Sequence, residues 1–105
     1  MRLRKRQPTH PGSILRVHYL EPLEISVTEL AKELKLSRKT VSKILNERGA
    51  VTPDVALRLS MAFKTTPELW LNLQRSYDLW HTANEKTDWQ TITPILKMVH
   101  VISEA

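Results

Sequence analysis

Residues 26–46, SVTELAKELKLSRKTVSKILN, constrain this chain more than any other stretch. Ser26 and Glu29 have the spacing of a capping box: the serine oxygen accepts from an early helical N–H and the glutamate reaches back to the cap. Leu30, Ala31 and Leu34 then share one face of a short helix, with Glu29, Lys32 and Glu33 turned outward. Ser37 offers a second N-cap, and Val41, Ile44 and Leu45 give the following helix its own apolar face. The face left over carries Arg38, Lys39, Thr40, Ser42, Lys43 and Asn46. Two short helices around a tight turn, the second with a basic and amide-bearing outer face, form a helix-turn-helix pattern. An α-helix fits the major groove, where Arg or Lys meets guanine acceptors, Asn pairs with adenine and a threonine methyl touches the thymine methyl. Ala31 keeps the two crossing helices close. Lys35 stands in the turn where glycine is usual, and a left-handed lysine there costs about 1 kcal/mol, which a turn tolerates.

Charge placement points the same way. Of the 16 Lys and Arg residues, eleven lie in residues 1–48 against five acids, a net +6; residues 49–105 hold five against six, a net −1. The positive excess therefore sits in the half with the helix-turn-helix, as an electrostatic footprint on phosphate requires. At 105 residues the chain makes one domain with a modest core. It has no cysteine, so disulfides and thiolate metal sites play no part. No apolar run approaches the roughly 18 residues of a membrane span, and the basic N-terminus lacks the apolar stretch of a signal peptide. The expectation is a cytoplasmic protein with no membrane association.

Arg2, Arg4, Lys5 and Arg6 make residues 1–9 a mobile basic arm that can lie along phosphates or remain a solvated tail. His10-Pro11-Gly12-Ser13 leads into a helix bearing Ile14, Leu15, Val17, His18 and Leu20, which ends near Pro22. His18 is expected to be packed or capping. After a loop at 47–51, Thr52-Pro53 starts a helix with Val55, Ala56, Leu59, Ala62 and Phe63 on one side. Thr52 can also meet a phosphate, since helix N-termini favour anions. Thr66-Pro67-Glu68 starts the next helix, where Trp70, Leu73, Tyr77 and Trp80 recur at steps of three and four. Trp70 and Leu73 finish the core. Tyr77 and Trp80 are candidates for a contact with a second chain, where aromatics are enriched. Residues 82–90 read as a polar connection, and Thr93-Pro94 starts a last amphipathic helix with Ile95, Met98, Val99 and Ile102 on one face. The chain thus divides into the arm 1–9, a helix-turn-helix domain 10–84 with its dimer or partner helix at 67–84, and a linker with tail helix at 85–105.

Nothing marks an enzyme. His10, His18, His81 and His100 lack metal-ligand spacing, neither glycine belongs to a phosphate loop, and no serine sits in a nucleophile elbow. Metal and cofactor are expected to be absent.

Three blocks resemble the HigA-type antitoxins, a branch of the phage-repressor-like (Xre) helix-turn-helix proteins. The first is His10-Pro11-Gly12-Ser13-Ile14-Leu15 with Leu20-Glu21-Pro22-Leu23. The second is Leu30-Ala31 through Val41-Ser42-Lys43-Ile44, then Thr52-Pro53-Asp54-Val55-Ala56-Leu57-Arg58-Leu59. The third is Thr66-Pro67-Glu68-Leu69-Trp70-Leu71-Asn72-Leu73-Gln74 with Tyr77-Asp78-Leu79-Trp80. The match covers residues 10–84. The resemblance implies an all-α, five-helix repressor-like domain, here with an extra C-terminal helix, that forms a homodimer. It implies an antitoxin that neutralises a small RelE-like ribonuclease toxin and represses its own operon. DNA reading would fall to Ser37, Arg38, Lys39, Thr40, Ser42 and Lys43, on a palindromic operator whose two half-sites lie about 34 Å apart. The alternatives are a stand-alone Xre-type repressor without a toxin, and a protein-binding inhibitor module without DNA readout.

Overall fold

The computed structural model describes residues 6–96, all helical or irregular among the described residues. The first helical stretch is continuous but changes winding, from α1 (Pro11–Leu15) through a π-helical turn (Arg16–Leu20) into α2 (Glu21–Leu23). Pro22 supplies the physical reason. It has no N–H to give and its ring crowds the carbonyl four residues back. The wider turn relieves this: Glu21 N–H donates to Arg16 O, five residues back, and Ile25 N–H does the same to Leu20 O at 2.9 Å. The helices α3 (Val27–Leu34), α4 (Arg38–Leu45), α5 (Pro53–Phe63) and α6 (Pro67–Glu85) follow, then a 3-10 turn (Asp88–Thr91).

Each of the four later helices begins on the residue its sequence marks. Ser26, Ser37, Thr52 and Thr66 all turn a side-chain oxygen to an N–H of the first turn. The capping box closes in both directions at 3.1 Å. The serine's two contacts hold the Glu29 carboxyl below its ordinary range.

One core joins them. Leu15, Leu20, Leu30, Leu34, Val41, Ile44, Leu45, Val55 and Leu59 close around Trp70, which has no exposed surface. The Trp70 indole N–H is satisfied by Thr65 Oγ1 at 2.8 Å. Tyr19 of the π turn lies tilted against Phe63 and Trp70. Three expected core assignments differ. Val17 is 44% exposed, and His18 is also exposed, because the π turn rotates both away from α4. Ala62 is exposed, as is Met61, so the buried face of α5 stops at Val55, Ala56 and Leu59 with Phe63 half-buried.

The ends also differ from expectation. Pro8 is buried and Gln7 Nε2 lies 2.9 Å from His81 Nε2, so the packed domain begins before residue 10. Residues 1–5, with Arg2, Arg4 and Lys5, lie outside the described residues. α6 runs through residues expected to be a connection and ends at Glu85. Trp89 folds back on it, donating Nε1–H to Ala83 O at 3.3 Å. Residues 92–96 carry no helix, so Thr93-Pro94 does not open one there; Met98, Val99 and Ile102 of the expected tail helix lie outside the described residues.

Both glycines avoid positive φ, and among the described residues four others adopt it: Glu24, Lys35, Glu47 and Lys64, at φ 55–61°. Glu24, Lys35 and Lys64 end α2, α3 and α5 in the left-handed cap normally given to glycine. Each costs about 1 kcal/mol in local strain. Lys64→Gly should therefore raise stability by roughly 0.5 kcal/mol, the strain relief of about 1 kcal/mol less the added freedom of the unfolded chain. A urea midpoint that does not rise contradicts this.

Candidate nucleic-acid interface

α3 and α4 pack across the turn at Lys35–Leu36, and α4 presents its unburied face to solvent. Val41, Ile44 and Leu45 are buried on the inner side. Arg38, Lys39, Thr40, Lys43 and Asn46 are exposed and Ser42 is half-buried. Lys39, Lys43 and Asn46 succeed one another at steps of four and three, with Arg38 and Ser42 alongside. The ion pairs among the described residues are Arg58–Asp54 and His81–Glu85. The three α4 cations enter neither, so their charge is available to an anionic partner.

The uncharged members are already partly engaged. Ser37 Oγ accepts from Thr40 N–H at 3.1 Å and donates to Thr40 Oγ1 at 2.8 Å. Thr40 keeps its own hydroxyl proton and methyl to offer. Asn46 Nδ2 donates to Ser42 Oγ at 3.2 Å, leaving its carbonyl oxygen and second N–H for a base edge. Thr52 is exposed at the start of α5 and its oxygen accepts from Val55 N–H at 3.3 Å, so its own proton remains for a phosphate oxygen.

The C-terminal end of α4 is held by contacts that its own stretch of sequence does not reveal. At its C-terminal end, α1 crosses closely at Gly12, where any Cβ would land on the Ile44 carbonyl. His10, 3% exposed, caps α1: its Nδ1 accepts from Gly12 N–H at 2.9 Å. Tyr77 meets the same ring edge-on, with centroids 4.7 Å apart. Gln74 of α6, also buried, accepts from Val51 N–H at 2.8 Å and donates to Asp78 at 2.9 Å. These bonds fix the loop between α4 and α5. The signal for them was the unusual pairing of histidine with Pro-Gly and the amide in an otherwise apolar stripe.

Burial lowers the His10 pKa below its ordinary 6.5, against the opposing pull of Glu47, the Gly49 backbone and Asp78. The neutral ring is the one that caps α1. Its stabilising contribution is complete above about pH 6.5 and is lost as pH falls through the lowered value. His10→Asn keeps an N-cap acceptor without the titration, so its unfolding free energy should fall less steeply than wild type below pH 6.5. Parallel curves contradict the assignment.

The two aromatics expected to reach a second chain take different positions. Tyr77 is half-buried between His10 and His81, the latter at 4.2 Å between centroids. Trp80 is half-buried and meets His81 edge-on at 5.1 Å. The more exposed apolar groups of α6 are Leu69 and Leu79, 38% and 47% exposed.

A helix-turn-helix family model matches residues 18–70. Antitoxin HigA-1 of Vibrio cholerae is 44% identical over 80% of this chain and 79% of its own length. The chain belongs to the HigA-type antitoxin family. Among solved structures, the Pseudomonas aeruginosa antitoxin HigA with the higBA promoter has a TM-score of 0.77 and 40% identity, covering 86% of this chain and all of that one. Antitoxin GraA in complex with its operator has a TM-score of 0.82 and 38% identity, covering 91% of this chain and 99% of that one. The family's fold therefore spans the described domain nearly end to end.

Proposed function

We propose that this protein is a DNA-binding antitoxin that represses its own operon and neutralises a small RelE-like ribonuclease toxin, with no catalysis of its own. The observation that carries the reading is α4: an exposed helix face whose three cations lack carboxylate partners among the described residues, in a domain of the shape GraA has on its operator. Arg38 and Lys43 reach base edges, Lys39 and Thr52 meet phosphate, and Ser37, Thr40, Ser42 and Asn46 refine the fit. A homodimer would set two copies of α4 on the half-sites of a palindrome. The exposed Leu69 and Leu79, with Trp80 nearby, support α6 as the surface for the second copy or the toxin. No helix among the described residues is long and apolar enough to cross a membrane, consistent with work in the cytoplasm.

The test uses the small reading frame beside this gene, expressed with and without this protein. Growth arrest relieved by the chain, together with co-purification, is the expected result. An expressed neighbour that neither arrests growth nor binds would leave a stand-alone repressor.

A further inference from the structure

The N-terminal half of α4, with Ser37, Arg38, Lys39 and Thr40, has no glycine crossing or histidine cap to hold it. Its support is the turn at Lys35–Leu36, which is under strain because Lys35 sits at φ 56°. A helix end leaves its last carbonyls without partners. At the end of α3, Leu36 N–H serves Ala31 O at 3.0 Å and Lys35 N–H serves Lys32 O at 3.2 Å. The next carbonyls along the turn are taken by a side chain from another helix. Arg58 of α5 donates from Nη1 to Leu34 O at 2.7 Å and to Lys35 O at 3.1 Å. Its Nε is held by Asp54 Oδ2 at 3.0 Å.

We propose that Arg58 is a positioning residue for DNA binding, locking the strained α3–α4 turn so that the reading end of α4 meets the groove at a fixed angle. This rests on the DNA-binding reading. Lys35 and the N-cap Ser37 are two residues apart, so the braced carbonyls lie at the pivot of the helix. The planar guanidinium spans two carbonyls and a carboxylate at once, which a lysine ammonium on a flexible stem does not reproduce. The positive charge also suits a helix C-terminus. Arg58 is thus engaged by the α3–α4 turn and by Asp54 at the surface of the domain.

The test is a double-substitution cycle read as affinity for a labelled duplex from the segment immediately upstream of this gene, with a scrambled duplex as reference. Arg58→Ala should weaken specific binding about tenfold and leave the salt slope unchanged, since no phosphate contact is removed. With Lys35→Gly, which relieves the turn, the same substitution should cost about twofold or less. Should Arg58→Ala not fold, Arg58→Lys enters the cycle instead. No loss of affinity, an equal loss in both backgrounds, or a salt slope reduced by about one would each overturn the proposal. A wild-type protein that does not prefer the upstream duplex would instead overturn the DNA-binding reading itself.

Discussion

Gly12→Ala should destabilise the domain by at least about 3 kcal/mol, beyond the usual range for one added methyl in a packed core. On propensity alone the change is favourable by about 1 kcal/mol, because alanine is the better helix former. Packing reverses the sign. The new Cβ would overlap the Ile44 carbonyl oxygen, lie 2.8 Å from the Ile44 carbonyl carbon and stand 3.1 Å from His10 Nδ1. Two of these neighbours are backbone, so no rotamer change relieves them; α1 and α4 must part. Separation would also disturb the His10 cap. Urea denaturation of the purified variant measures the effect. Wild-type stability would mean that α1 does not cross α4 here.

Replacing Arg38 and Lys43 together with alanine should reduce specific DNA binding by at least about thirtyfold, or roughly 2 kcal/mol. A good base contact is worth about 1–3 kcal/mol. Both side chains are exposed on α4, outside its buried face of Val41, Ile44 and Leu45, so the fold should be unaffected. Lys39→Ala differs in kind: it should weaken binding alike on all sequences and reduce the salt slope by about one. Anisotropy titrations across a salt series distinguish the two patterns. Unchanged affinity and slope in the double variant would remove α4 from the interface.

What the sequence made legible was local. The caps at Ser26, Ser37, Thr52 and Thr66 and the buried faces of α3 and α4 follow from spacings of three and four residues, and the structure has them in place. The outward face of α4 was readable for the same reason. The missed features join residues distant in the chain. Arg58 reaches the turn from 23 and 24 residues away, and Gln74 bonds Val51 across 23. The contact of His10 with Tyr77 is of the same kind, since nothing in α6 hints that His10 would come to lie against it. Val17 looked buried because a 3.6-residue period was assumed where Pro22 imposes a wider turn. Lys35 was recognised as anomalous, but its compensation lay on another helix.

The most direct measurement is competition binding of the wild-type chain on duplex DNA from immediately upstream of its gene, against a scrambled duplex of equal length, at physiological salt. A preference of at least about 10³-fold for the upstream duplex is expected of a sequence-reading helix. Equal affinity for both, falling together as salt rises, would mark the α4 cations as a nonspecific basic face and contradict DNA readout by this helix-turn-helix.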